Sequence, residues 1–121
     1  MPRPTSAPAA VEAPAGDADR IRDAIHRWER AQNSLDADAY TRVFPRVDKS
    51  RIQAAFDGLR SQTVSYDLIR VDVTPGSSKA TVHLFERRVA VPRVGNEQRA
   101  EGNRTVTLQK SGDGWVIAEV Q

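Results

Sequence analysis

Cysteine is absent from the 121 residues, which excludes disulfides, thiolate metal sites and thiol chemistry and leaves the cellular compartment open. No run of about 18 apolar residues occurs that could span a bilayer, so the chain reads as soluble. The opening stretch, MPRPTSAPAAVEAPAG, has only Val11 as a sizeable apolar side chain beyond Met1. Such a segment cannot bury enough apolar surface to offset the entropy of ordering it, so residues 1–16 read as a disordered tail or linker. It also lacks the continuous apolar run of a secretory signal.

An excess of one charge is lacking too. Lys and Arg number 18 against 16 Asp and Glu, a net charge of +2. The most basic neighbourhood, Arg87, Arg88, Arg93, Arg99 and Arg104, is broken by Glu86, Glu97 and Glu101. A nucleic-acid binder concentrates its base in a stripe and adds aromatic residues for stacking. The interrupted pattern describes instead a solvated pair of strand ends and their loop, and no nucleic-acid partner is expected. Metal-ligand spacings, phosphate-cradling glycine loops and nucleophile motifs are missing as well, so no metal or cofactor is expected.

What remains, residues 17–121, suits one domain with a single core. Ile21, Ile25, Trp28, Gln32 and Leu35 recur at steps of three and four, with Ala24 and Ala31 on the flank. This is one face of a helix of about five turns. Leu35-Asp36 and Val47-Asp48 then share one grammar. Each Asp can cap the amides of a following helical turn, and each apolar residue before it can staple onto the fourth helical position, Tyr40 and Ile52. Pro45 ends the first short helix. The second carries Ile52, Ala55, Phe56 and Leu59 on one face and Gly58 near its end.

After Ser61 the apolar period falls from 3.6 to 2. Val64, Tyr66 and Leu68 alternate, then Val71 and Val73, and the slip at Leu68-Ile69 predicts a β-bulge. Ala80, Val82 and Leu84 face one way in the next strand, with Thr81, His83, Phe85 and Arg87 facing the other. A polar loop is expected around PRVGNEQRAEG. Arg104, Val106 and Leu108 then oppose Thr105, Thr107 and Gln109, and SGDG turns the chain into a closing strand, WVIAEV. Three helices followed by about four strands, in blocks, predict an α+β fold with an antiparallel meander.

That order, with WERAQNSLDADAY leading into an Asp-capped second helix and GDGWVIAEV closing the chain, resembles the nuclear transport factor 2-like superfamily (SnoaL-like, cystatin-like α+β cones) over residues 17–121. The resemblance implies a curved sheet wrapped around the first helix, with the two short helices as a lid on the open end of the cone. It departs in one place: FPRVD leaves no room for the strand or hairpin that the family usually carries between the second and third helices. A trimmed lid implies a smaller or closed pocket. The superfamily contains ketosteroid isomerases, polyketide cyclases and scytalone dehydratase, together with non-enzymatic transport, assembly and accessory domains, some of them appended to larger bacterial proteins. Fold alone does not choose among them.

An enzyme of this kind needs an acid or base inside the cone. His26 falls opposite the apolar stripe, while His83 and Asp67 alternate outward, so none is expected there and no catalytic residue is assigned. The inward-facing candidates for a ligand pocket are Trp28, Gln32, Tyr40, Phe44, Phe56, Tyr66 and Arg104, of which Gln32 and the tyrosines could orient a ligand. Gln32 is equally well read as a core amide satisfied by a tyrosine hydroxyl or a backbone group. The sequence therefore points to a non-enzymatic binding, accessory or dimerisation domain, with a small isomerase, cyclase or dehydratase as the alternative. Thr81, Phe85 and Val89 give the outer sheet face an apolar-to-neutral patch for a homodimer.

Overall fold

The computed structural model describes residues 15–121 except Pro75 and Asp113; residues 1–14 of the expected tail lie outside the described residues. Helices α1 (Ala15–Asn33), α2 (Ala37–Val43) and α3 (Lys49–Asp57) precede strands β1 (Leu59–Val73), β2 (Lys79–Pro92), β3 (Gln98–Ser111) and β4 (Gly114–Val120). The strands form one curved antiparallel sheet in the order β1-β2-β3-β4. The fold is α+β, three helices packed on a four-stranded meander.

The α1 stripe produces the core. Ile21, Ala24, Ile25 and Trp28 are each 3% exposed or less, and they cluster with Val64, Tyr66, Val82, Leu84, Val106, Leu108, Trp115 and Ile117 from all four strands. Burial of each large apolar side chain contributes about 1.5–3 kcal/mol. The helix starts at Ala15, two residues before the expected Asp17. Asp17 then pins the first turn to the far end of the sheet. It accepts a hydrogen bond from Trp115 Nε1 (3.4 Å) and pairs with Lys110 (3.7 Å), and its charge suits a helix N-terminus.

The end of α1 sets up the lid. Leu35 N–H donates to the Gln32 carbonyl and Asp36 N–H to the Ala31 carbonyl, closing the helix in a Schellman turn. Leu35 takes φ 54 there, a left-handed conformation usually left to glycine. The chain arrives directly at Asp36, whose Oδ1 accepts from Ala39 N–H (3.1 Å), and Asp48 does the same for Ser50 N–H (3.0 Å). Both are N-caps, as their pattern predicts. Only a turn separates α2 from α3. The inward face of α3 is narrower than its periodicity predicts. Phe56 alone is buried, Ile52 and Leu59 are half-buried, and Ala55 is exposed. The helix leans on α2 and the start of β1 at the rim of the sheet, so one side chain of its stripe reaches inward.

Strand β1 begins at Leu59, ahead of the Ser61 boundary, and its register with β2 shifts between Leu68 and Arg70. Ile69 is the extra residue and stands 66% exposed, where the alternation slips. The polar loop is shorter than its composition suggests. Pairing of β2 with β3 runs unbroken to Ala90 opposite Gln98, so Arg99, Glu101 and Gly102 are strand residues. Helix α1 also closes the outer edge of β1. The Asn33 side chain exchanges two hydrogen bonds with the Val64 backbone, and Glu29 Oε2 accepts from Tyr66 N–H (2.8 Å). Side chains stand where a neighbouring strand would otherwise be needed.

Candidate functional site

The five aromatic candidates meet at the lid end of the cone. The Trp28 ring on α1 stacks on Tyr66 of β1 with centroids 4.7 Å apart and planes within 4°. Tyr40 and Phe44 approach Trp28 from the lid at 6.3 and 6.4 Å, and Phe56 meets Tyr40 edge-on at 5.8 Å. Offset and edge-on pairs of this kind each add about 0.5–1.5 kcal/mol beyond their area. The trimmed lid thus lays its rings directly on the core. Phe56 is 7% exposed, whereas Tyr40 and Phe44 are half-buried at the rim.

A polar cluster lies beside these rings on the inner face of the sheet. Gln32 Nε2 donates to Tyr66 Oη (2.8 Å) and weakly to the Trp28 carbonyl (3.4 Å). Arg88 reaches in from β2. Its guanidinium donates to Gln62 Oε1 (2.8 Å), Gln32 Oε1 (2.9 Å) and Glu86 Oε1 (3.3 Å). Gln62 returns a bond to the Gln32 carbonyl (3.1 Å). Glu86 is 4% exposed, and its other oxygen faces Arg104 at 3.6 Å. Helix α1 and strands β1, β2 and β3 are therefore tied through one charged network.

Glu86, Arg88 and Gln62 were missing from the sequence candidates, although a signal existed. Glu86 and Arg88 continue the alternation of Ala80, Val82 and Leu84, and that phase faces inward. Their charges read as strand-end solvation, and the network that makes burial tolerable spans elements far apart in sequence. The expectation that no acid lies inside the cone is therefore corrected: Glu86 does. Arg104 stands on β3 beside the buried Glu86. Its side chain is 46% exposed, and it contributes charge to Glu86 at 3.6 Å. His26 and His83 keep their outward positions, with side chains 51% and 36% exposed. Asp67 also faces outward, bonded to Arg87 (2.9 Å).

The electrostatics follow from this packing. Burial pushes the Tyr66 hydroxyl well above its ordinary range; the Gln32 hydrogen bond and Arg88 oppose that shift, and the Glu86 charge reinforces it. Tyr40 is raised as well, by burial first, with the Trp28 indole and Arg88 pulling the other way. Both hydroxyls stay protonated and can donate. The Trp28 indole lies near enough to bias Tyr40, yet among the described residues its buried Nε1–H makes no hydrogen bond of proper geometry. An unpaired buried donor costs about 1–3 kcal/mol, and an acceptor oxygen placed there would relieve it. The site is thus rich in donors, with one carboxylate held between two guanidiniums.

On the outer face, Thr81, Phe85 and Val89 are half-buried, and the Arg87 guanidinium sits 5.0 Å above the Phe85 ring. The Asp67–Arg87 pair and the Asp72–Arg70–His83 group interrupt the apolar patch expected there. Among the described residues no His, Asp or Glu group is arranged to hold a metal, and no described helix is long and apolar enough to cross a membrane.

No protein-family model and no curated protein matches the chain. Solved structures do. A nuclear transport factor 2-like superfamily protein from Salmonella enterica serovar Typhimurium superposes with a TM-score of 0.74 at 19% identity, covering 90% of this chain and 91% of its own. A protein from Kribbella flavida gives 0.77 at 15% identity, with 90% of each chain covered. A Streptomyces avermitilis protein of the same family, named a dehydratase candidate, gives 0.73 at 13% identity, covering 89% and 96%. The chain has the nuclear transport factor 2-like fold.

Proposed function

We propose that this domain is a non-enzymatic binding module whose cone interior takes a small, flat hydrophobic ligand bearing an acceptor oxygen. The observation that carries the reading is the buried, unpartnered Trp28 Nε1–H amid the aromatic cluster, with Tyr40 beside it. An apolar wall with a few convergent polar groups is the usual make-up of a small-ligand site. The rings of Trp28 and Tyr66 supply the flat wall, and the lid rings Tyr40, Phe44 and Phe56 must part from them to admit the ligand. Gln32, through Tyr66, and Arg104, through Glu86, act as positioning residues. The Pro/Ala-rich N-terminal segment serves as a linker, and a second copy pairs through Thr81, Phe85 and Val89. Phe85→Glu should then shift sedimentation toward monomer with an unchanged circular dichroism spectrum.

A second reading is favoured by one observation, the presence of Glu86 in the cone beside Tyr66 and Arg88. A carboxylate next to a protonated tyrosine is the equipment of an acid/base isomerase or dehydratase, and the resemblance to a dehydratase candidate supports it. Against it, Glu86 faces an arginine at each oxygen. A thermal-shift screen with hydrophobic acids, sterols and polyketide-like aromatics separates the two. Stabilisation that Gln32→Leu or Tyr66→Phe abolishes, with no exchange of acidic ligand C–H protons for deuterium, supports binding. Exchange that Glu86→Gln abolishes establishes the enzyme. An absence of stabilisation throughout the screen refutes the ligand site.

A further inference from the structure

Three arginines meet at the corner between α1 and α2. Arg27 and Arg30 stand one turn apart on the solvent side of α1, away from the buried stripe of Ile21, Ile25 and Trp28. The turn that ends α1 folds the chain sharply back, with Asp36 N–H donating to the Ala31 carbonyl and Leu35 left-handed. Helix α2 is thereby laid against α1. Its Ala37 and Val43 enter the core, while Ala39 and Arg42, three residues apart, take the flank beside the end of α1. The result is a pocket of about 250 Å³ lined by Arg27, Arg30, Ala31, Ser34, Ala39 and Arg42. Its alanines and serine are short enough to leave the space between the guanidiniums open.

No carboxylate lines this pocket. The acids one helical turn away are engaged by other groups. Asp23 accepts from Arg27 Nε (2.8 Å), so the two terminal nitrogens of that guanidinium have no partner among the described residues. Asp38 on α2 is paired with Lys49 of α3. Among the described residues the Arg30 and Arg42 guanidiniums make neither a hydrogen bond nor an ion pair. Helix dipoles explain Arg30 and Arg42 one at a time, since each is the basic residue of its own helix's last turn. They do not explain why both, together with Arg27, border one acid-free pocket walled by small residues.

We infer that this corner is an anion site for a phosphate group, either inorganic phosphate or the phosphoryl end of a small phosphate monoester. Each guanidinium offers paired N–H donors in a rigid fork that fits two oxygens of a phosphate. A carboxylate has one such edge and one charge, and a single arginine satisfies it. A tetrahedral dianion has several edges and can be met from α1 on one side and α2 on the other. Ser34 serves as wall: its hydroxyl donates to the Arg30 carbonyl (2.8 Å). Arg27, Arg30 and Arg42 are exposed, so the pocket opens to solvent and an organic group esterified to the phosphate has room outside it. The aromatic cluster is a different place. Tyr40 leaves α2 toward Trp28, whereas Ala39 and Arg42 lie on its flank, and the two sites can be probed apart.

Thermal-shift and phosphorus NMR titrations of the full chain at constant ionic strength test the assignment, with inorganic phosphate and phenyl phosphate as probes and sodium chloride as the control. Both probes should give a saturable rise in Tm that chloride does not, because a ligand bound only by the folded chain stabilises it according to its occupancy. A tighter phenyl phosphate identifies the monoester as the ligand, and equal or weaker binding identifies inorganic phosphate. Arg42→Gln should weaken binding about tenfold through the loss of a charge-assisted pair. Arg42→Lys keeps the charge but loses the fork, and should weaken it about threefold. Both side chains are exposed, so the circular dichroism spectrum should stay as in the wild type. Arg51→Gln removes an exposed lid arginine outside the pocket and should leave binding unchanged. The absence of a saturable shift with either probe overturns the inference. So does a shift that Arg51→Gln lowers as much as Arg42→Gln, which is the behaviour of general charge screening. Binding of a single-stranded oligonucleotide with neither phosphate probe bound also overturns it, and assigns the arginines to an extended polyanion.

Discussion

Removing the Arg88 guanidinium is the sharpest probe of the interior. In Arg88→Met the packing of the stem is largely kept, while Gln62, Gln32 and Glu86 lose donors at 2.8, 2.9 and 3.3 Å. Glu86, 4% exposed, keeps Arg104 at 3.6 Å as its counter-charge. Breaking a buried pair by deleting one partner costs about 3–5 kcal/mol. Arg88 itself is 29% exposed and Arg104 remains, which lowers the expectation to about 2–4 kcal/mol. For a domain of this size that is a fall in Tm of about 10–20 °C. Urea unfolding followed by tryptophan fluorescence and by circular dichroism gives the number. The companion variant Arg88→Met with Glu86→Leu should recover more than half of the loss, because an apolar pair needs no counter-charge. Arg27→Met is the control: its partner Asp23, at 2.8 Å, is exposed like itself, and the change should cost less than about 0.5 kcal/mol. A single-variant loss no larger than the control, or a double variant whose losses simply add, would refute the network.

Three further outcomes follow from the same geometry. Phe56 is the one buried side chain of α3 and meets Tyr40 edge-on, so Phe56→Ala should cost about 3–5 kcal/mol in urea unfolding, against a markedly smaller loss at the wall of an open pocket. Burial raises the Tyr66 hydroxyl above its ordinary value of 10.0, so its contribution is complete below pH 10 and is lost as pH rises above it. The alkaline limb of a Tm-against-pH curve should therefore flatten in Tyr66→Phe; an unchanged limb would assign it elsewhere. Asn33→Ala removes both hydrogen bonds that close the β1 edge at Val64 and should cost about 2 kcal/mol, with faster amide exchange at Val64 and not at Tyr66, whose N–H Glu29 accepts.

Much of the fold was legible because its signals are local. The α1 stripe, the caps at Asp36 and Asp48, and the bulge at Ile69 each need only neighbouring residues to be read. Two features depended on distant partners and were misread. The polar composition of residues 98–102 suggested a loop, yet the pairing of β3 with β2 makes them strand. The inward stripe of α3 looked four residues wide, but the helix leans against α2 at the rim, and only Phe56 enters the core. The candidate site shows the same division. Trp28, Gln32 and Tyr66 were found by periodicity, whereas Glu86 was hidden because a charge looks solvated until the arginines from elsewhere are placed around it.

That hidden carboxylate bears most directly on function. A buried ion pair adds little to stability, and well-packed apolar residues of similar volume often do better. Glu86 and Arg88 therefore need another explanation than holding the sheet together. The geometry offers one: Arg88 fixes both Gln32 and Gln62, Gln32 fixes the Tyr66 hydroxyl, and Tyr66 stacks flat on Trp28. The network thereby sets the orientation of the ring whose N–H stands unpaired. If that is its role, Glu86→Gln should weaken ligand binding together with a shift of the Trp28 indole N–H resonance in the free protein. If Glu86 instead touches the ligand as a base, the free-protein resonance should stay in place while proton exchange on the bound ligand is lost. The indole spectrum of one variant, recorded with and without ligand, separates positioning from catalysis.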